Sequence, residues 1–402
     1  MKSLRLAACA THPIQYHAPI WRRLAATNGI EFEAFFGTDM SVRGYTDREF
    51  GTKVTWDTPL TAGYSHLFLS TDSRIQQVTA LKPGAAGLRS QFRRLRPDVV
   101  LLTAYGARFH LEAWHAARAV GAKVILRHEA SDVALTRSGP KAIARDYFLR
   151  WLYARVDGFA VIGTEARRHL CRLGVPEGKM ESAYYCVDTD FFGGEVARWM
   201  PQRDTLRQEL GIGPGDVALV FSGKLILKKD PLLVPAALKL LSAEMRKRMH
   251  LLVAGDGILR KAMEDACRPV LGPRLHMLGF LNQTQIGRVY SIGDLLILPS
   301  KRGAGETWGL VVNEAMQFGL MPLVSDGVGC GPDMIVPDIG AVFPSNDAGA
   351  LARTIASFVT ITSEQCATNR YKAQAMAKRF DAKVAADGIV SIARRSTGNL
   401  CH

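Results

Sequence analysis

The chain has 402 residues, 48% hydrophobic and 22% charged, with 51 Lys and Arg against 37 Asp and Glu for a formal net charge of +14. This composition excludes an intrinsically disordered chain, and the length favours two domains over one. The positive balance suits an anionic partner: nucleic acid, an acidic membrane surface or an anionic small molecule.

In chain order, "MKSLRLAACATHPIQY" carries Lys2 and Arg5, but its apolar stretch is too short for a signal peptide and reads as a first strand. No apolar run approaches the roughly 18 residues of a membrane span, so a cytosolic protein is expected. Further strands are predicted at "IEFEAFF", "DVVLLTA", "AKVILR" and "DGFAVIG", alternating with amphipathic stretches. Such alternation is the mark of strand–helix units around a parallel sheet. Two basic-apolar stretches stand out, "LRSQFRRLR" (88–96) and "KAIARDYFLRWLYAR" (141–155). Both are candidates for contact with an anionic membrane, although in the second Phe148, Trp151, Leu152 and Tyr153 read better as packing a core helix. After "YYCVDTDFF" the pattern lapses into "GGEVARWMPQRD", which places a domain boundary near residue 195.

The second half restarts with a strand and glycine turn at "DVALVFSG", a helix at "DPLLVPAALKLL" and a strand at "HLLVAGDG". The helix "ILRKAMEDACRPV", the strand "RLHMLGFL", the helix "QTQIGRVYSIG", the strand "DLLILPS", the helix "GLVVNEAMQF" and the strand "MPLVSD" follow. Gly319, with Pro322 beyond it, is the expected stop of the "NEAMQF" helix. Residues 1–195 and 196–380 are thus read as two Rossmann-like domains facing across a cleft. Residues 381–402 are expected to form a helix packing back on the first.

Seven scattered cysteines (Cys9, Cys171, Cys186, Cys267, Cys330, Cys366, Cys401) include no C-x-x-C pair and read as reduced thiols. The pairs His12/His17 and His110/His115 are offset by five residues and miss the i, i+4 face of helical metal sites. "GETWGLVVNEAM" is more informative. Its two acids, Glu306 and Glu314, flank a helix start near Trp308-Gly309. The backbone amides of such a start favour a phosphate or sugar oxygen, and Gly309 allows close approach. Glu314, about one and a half turns on, can accept two hydrogen bonds from a vicinal diol. "SGKLILKKDP" places Lys224 and Lys229 in the loop after Gly223, where two ammonium groups can neutralise a diphosphate.

Taken together, "FSGKLILKKDP…LLVAGDGILR…HMLGFL…Y…DLLILPS…GETWGLVVNEAM…G…P…SD" resembles the donor domain of family 4 glycosyltransferases, retaining enzymes of the GT-B fold. The resemblance implies that Lys224, where the family usually has Arg, and Lys229 bind the donor diphosphate. It implies that Glu314 holds the ribose, and that Glu306 with the backbone of Trp308, Gly309 and Leu310 holds the transferred sugar and the distal phosphate. Phe is commoner at position 308. The backbone at Phe280-Leu281 would meet the base. In the first half, "VDGFAVIGTEARRHLCRLGVPEGKMESAYYCVDTDFF" resembles the segment leading to the interdomain linker, with Cys186 for the customary Gly. The family's glycine-rich loop after strand one is replaced by "THPIQYHAPIWRRLA", making His12, Gln15, Tyr16 and His17 candidate acceptor groups. After "KVILR", where many members carry a reacting-face His, Glu129 takes the position with His128 beside it.

The function implied is retaining transfer from a UDP- or GDP-linked sugar to a glycan or lipid-linked glycan, in polysaccharide or glycoconjugate synthesis. No essential metal is expected, because lysines and a helix N-terminus can neutralise the leaving group. Peripheral contact with the inner face of a membrane goes with such an acceptor. Two rivals are a nucleotide-sugar epimerase of the same fold and a basic nucleic-acid-binding protein. The ordered acid and lysine motifs disfavour the second, so nucleic acid is not an expected partner.

Overall fold

The computed structural model describes residues 3–47, 52–136 and 138–398; Lys2 and Cys401 lie outside them. The first half supplies β1 (Leu4–Ala10), β2 (Ile30–Phe36), a hairpin of β3 (Tyr45–Asp47) and β4 (Thr52–Val54), then β5 (Ser65–Phe68), β6 (Val99–Leu102), β7 (Lys123–His128), β8 (Gly158–Val161) and β9 (Met180–Ser182). The second supplies β10 (Val217–Ser222), β11 (Met249–Ala254), β12 (Leu275–Gly279), β13 (Leu295–Leu298), β14 (Met321–Ser325) and β15 (Ala341–Phe343).

Two parallel sheets result, ordered β5-β2-β1-β6-β7-β8-β9 and β12-β11-β10-β13-β14-β15. Their central strands, such as "VVLL" and "LLIL", are buried at every residue because helices cover both faces. In the second sheet the strand order reverses at β10, between β11 and β13. A crevice is expected at the carboxyl ends there.

On one face of the first sheet, the helices Leu88–Leu95, Arg108–Ala119, Pro140–Ala154 and Thr164–Arg172 bury Phe92, Phe109, Leu149 and Leu170 in one core cluster. On the other, Ala18–Ala25 and Ala382–Ser396 bury Trp21 and Ile389 in a second cluster. The helix Pro140–Ala154 departs from the sequence reading. Leu149, Leu152 and Tyr153 are buried, but Phe148 and Trp151 are 51% and 53% exposed, as are Ile143 and Tyr147 at 60% and 70%. Only one stripe of this helix meets the sheet, and its other aromatics face outward.

The stretch near residue 195 is also corrected, from a polar lapse to a helical connector. Thr189–Trp199 is an α-helix, followed by a 3₁₀ turn, Met200–Gln202, and the helix Arg203–Glu209. Asp188 caps the first helix by accepting from the Phe191 amide at 3.1 Å, and Trp199 Nε1 donates to Glu195 at 2.8 Å. Gly193 and Gly194 each cost about 1 kcal/mol relative to alanine. The cap and the burial of Phe192 offset that cost.

The last helix crosses back onto the first half, where it contacts Ala18–Ala25, β8 and β9. At Gly388 an added Cβ would lie 1.9 Å from the Ser182 carbonyl oxygen, which belongs to the β9 backbone. Gly388→Ala is therefore expected to destabilise the protein by about 1 to 3 kcal/mol, as overpacking does. An undocked helix would instead gain about 1 kcal/mol from alanine's higher propensity. The sign of the change in urea unfolding separates these cases.

Candidate functional site

A cleft of about 410 Å³ opens at the carboxyl ends of β10 to β13. Gly223 and Lys224 follow β10, Gly255 follows β11, and Phe280 and Leu281 follow β12; Glu306, Trp308, Gly309, Leu310 and Glu314 complete that wall. The first half faces them with Gln15, Tyr16, Trp56 and Tyr185. The floor is backbone. Gly255 has φ +156°, and a Cβ there would stand 1.9 Å from the Gly223 carbonyl oxygen.

The helix Leu310–Gln317 starts in this cleft. Its N-cap is Gly309, at φ +101°, and no side chain caps it. A Cβ at Gly309 would approach Val328 and Leu298 to 2.8 and 2.9 Å, so the turn requires glycine on both counts. The amides of its first turn, beside the lining residues Leu310 and Val311, offer donors and a positive dipole end to an anion.

Both lysines line the same cleft, each with a carboxylate alongside. Lys229 forms an ion pair with Glu306, whose Oε2 also accepts from Ser300 Oγ at 2.9 Å. Burial pushes the Glu306 carboxyl up, but Lys229, Lys228 and the Ser300 hydroxyl outweigh it and hold the group below its ordinary range. Lys224 reaches across to the first half, its Nζ 2.9 and 3.1 Å from the two Asp47 carboxylate oxygens. The loop before Glu306 is pinned to that half as well, through Gly303 N to Val133 O at 2.8 Å and Gly305 N to Ala134 O at 2.6 Å.

Glu314 lies deeper, 5% exposed. Tyr290 donates to Oε2 at 2.8 Å, while Tyr16 and Gln283 donate to Oε1 at 3.3 Å each. Burial raises its pKa, and the bonds from Tyr290, Gln283 and Tyr16 offset part of the rise. Trp308 is a buried wall. Its Nε1 donates to Asn313 Oδ1 at 2.8 Å, and its ring packs against Tyr184, Tyr185 and Phe380. A Cβ on Gly163 would come within 2.3 Å of that ring, so the two halves meet closely here.

The structure brings Gly223, Lys224, Lys229, Phe280, Leu281, Glu306, Trp308, Gly309, Leu310 and Glu314 to one cleft. It divides the first-half candidates. Gln15 and Tyr16 line the cleft; His12 bonds Thr11 at 3.0 Å, and His17, 4% exposed, stacks behind Tyr185. Glu129 approaches the cleft indirectly, accepting a hydrogen bond from the Tyr185 hydroxyl. Burial raises its carboxyl pKa, with that bond and Arg127 opposing. His128 does not reach the cleft. Adjacent residues of an extended chain face opposite ways, and its ring sits in the core against Tyr153, Phe159 and His169. Burial, with His169 nearby, lowers its pKa to about 3, so it is neutral at physiological pH.

Trp56, Tyr185, Gln283 and Tyr290 also serve the cleft or Glu314 without having been singled out as site residues. Tyr290 sits within the resembling motif; nothing in the local pattern marks Trp56. The one Asp-x-Asp of the chain, Asp188-Thr189-Asp190, is engaged elsewhere: Asp188 pairs with Arg22 at 2.5 Å and Asp190 with Arg23 at 2.6 Å. Among the described residues no group of three or more His, Cys, Asp or Glu is placed to hold a metal ion.

Residues 69–191 match the model of Glycosyltransferase Family 4, and residues 202–376 match that of Glycosyl transferases group 1. An uncharacterised glycosyltransferase of Methanocaldococcus jannaschii is 27% identical over 191 residues, 46% of this chain and 46% of its own. The chain spans about half the length of the curated relatives it matches. Among solved structures, a glycosyltransferase from Rickettsia africae superposes with a TM-score of 0.73 at 12% identity, covering 100% of both chains. HepE of Anabaena in complex with UDP gives 0.69 at 14% identity, covering 97% of this chain and 98% of its own. At such identities these likenesses speak for the fold alone: two facing parallel-sheet domains of the GT-B type. With one glycosyltransferase model matching each half of that fold, the matches together support a family 4-type glycosyltransferase of the GT-B class.

Proposed function

We propose that this chain transfers a sugar, with retention of configuration and without an essential metal, from a UDP- or GDP-linked donor to a glycan or lipid-linked glycan. The observation that carries the reading is one cleft holding Lys224, Lys229 and an uncapped helix start together with the buried carboxylate of Glu314. Such a transfer builds positive charge on the sugar ring and negative charge on the departing diphosphate. The lysines and helix amides oppose the second, and Glu306 stands beside the first. Without ligand, the carboxylates of Glu306 and Asp47 balance the lysines. An incoming diphosphate takes over that role.

Calorimetry with UDP and GDP tests the reading, and no affinity for either would sink it. Lys229→Ala is expected to weaken diphosphate binding about tenfold or more, as for a lost charge-assisted bond, while free nucleoside binding changes little. Equal losses for both would place the loop away from phosphate. Release of free UDP or GDP during turnover separates transfer from epimerisation. Salt-sensitive binding to any duplex, with no nucleotide affinity, would favour the nucleic-acid rival.

The proposed acceptor side includes an anionic bilayer surface, and the outward face of Pro140–Ala154 supports it. Ile143, Tyr147, Phe148 and Trp151 are exposed there beside exposed Lys141, Arg150 and Arg155. Arg89, Arg93 and Arg94 stand exposed on Leu88–Leu95, over the same face of the sheet. Apolar rings ringed by cations match a charged interface, each cation contributing about 1 kcal/mol. No helix among the described residues is long and apolar enough to cross a membrane. Sedimentation with anionic vesicles is expected to show binding that fades with salt and with the double variant Phe148→Ser, Trp151→Ser. Absence of binding in every condition would assign a soluble acceptor, and concentration-dependent self-association would assign the face to a second copy.

A further inference from the structure

We infer that Trp56, contributed by the first half of the chain, is the surface on which the base of a bound nucleotide stacks. The inference rests on the nucleotide reading of the cleft and extends it to a residue outside both segments matched by the family models.

The cleft has a direction. Neighbouring strands lie about 4.8 Å apart, and the loops after β12, β11, β10 and β13 follow one another in that order along the sheet. Lys229 and Glu306 meet where the β10 and β13 loops adjoin, so charge gathers at that end. The opposite end, after β12, carries Phe280 and Leu281, with Gln283 next along the chain bonded to Glu314. A nucleotide with its diphosphate at the lysines and its ribose at Glu314 therefore extends its base toward residues 280–283.

Trp56 is fastened at this apolar end. Asn282 Nδ2 donates to the Thr55 carbonyl oxygen at 2.6 Å, and Asp57 accepts from the Thr284 amide at 3.1 Å. The residues on either side of Trp56 are thus both bonded to the start of the helix Gln283–Ile292. The indole between them lines the cleft and is partly buried, with some surface left accessible. A large aromatic held from both flanks, with accessible surface in a ligand cleft, suits a planar heteroaromatic base. Stacking of this kind tolerates different bases, because each has a π-face. The nucleotide would then bridge the two halves, with phosphate and ribose on one and base on the other.

Calorimetry with UDP and GDP on wild type, Trp56→Ala and Trp56→Phe tests this. Trp56→Ala is expected to lose about tenfold or more in affinity for the diphosphate that wild type binds, in keeping with the loss of one base–aromatic stack. Trp56→Phe is expected to stay within about threefold, because a smaller ring preserves a stacking face. Tryptophan emission should be quenched by nucleotide in wild type and much less in Trp56→Phe. If Trp56→Ala binds within about twofold of wild type, even with a lowered unfolding temperature, Trp56 is only a strut between the halves and the inference is overturned. Should Trp56→Ala fail to fold, the emission and affinity of Trp56→Phe decide, supported by Asp57→Ala, which loosens an exposed anchor and should weaken binding in the same direction. Loss of all UDP and GDP affinity in wild type would overturn the nucleotide reading itself, a result distinct from an unaffected variant.

Discussion

Replacing Glu314 by alanine is expected to weaken nucleoside diphosphate binding by about 2 to 3 kcal/mol, the range for hydrogen bonds to a charged group. The carboxylate sits deep in the cleft, where its bonds are not competed away by bulk water. Tyr290 secures Oε2 at 2.8 Å, which leaves Oε1, contacted by Tyr16 and Gln283 only at 3.3 Å, as the atom a ligand hydroxyl can claim. Tyr16 and Gln283 both line the cleft, where a ligand can meet them. In the alanine variant Tyr290 keeps Ser222 Oγ at 3.1 Å as a partner, which limits damage to the fold. Calorimetry against UDP or GDP measures the loss. Unchanged affinity would remove Glu314 from the ribose role.

The second large effect is kinetic. Glu306→Gln is expected to lower kcat by on the order of 10², comparable to losing one oriented electrostatic group, with little loss of diphosphate affinity. The asymmetry follows from the ion pair. Glu306 and Lys229 neutralise each other before ligand arrives, and removing the negative charge leaves Lys229 with more attraction for phosphate. Diphosphate affinity should therefore hold or rise as turnover falls. A variant losing affinity and kcat in parallel would show that Glu306 only holds the loop, as the ties from Gly303 and Gly305 to Val133 and Ala134 also do.

The cleft wall of the second half was legible in the sequence because its residues are close in the chain. Gly223 with Lys224 and Lys229, and Glu306 with Trp308, Gly309 and Glu314, each fall within one loop and one helix start. Spacing within such a unit decides which groups share a side. The strands were legible for a related reason: runs such as "LLIL" and "VVLL" are buried on both faces and so are apolar without interruption. Residues 193–204 read as a polar lapse because two glycines and polar residues mask a helix fixed by one cap and two buried side chains.

By itself the sequence determined the two parallel-sheet units and the residues that the second half brings to the cleft, since both follow from patterns a few residues long. The tertiary structure decided everything that depends on the halves meeting. His128 and Glu129 are adjacent in sequence, yet one ring enters the core and the other carboxylate meets Tyr185, because the extended chain turns them opposite ways. Phe148 and Trp151 look like core residues by spacing, but the sheet accepts only one stripe of their helix. Trp56 carries no local signal at all. Its place in the cleft comes from hydrogen bonds between residues 227 positions apart, a separation that no periodicity spans.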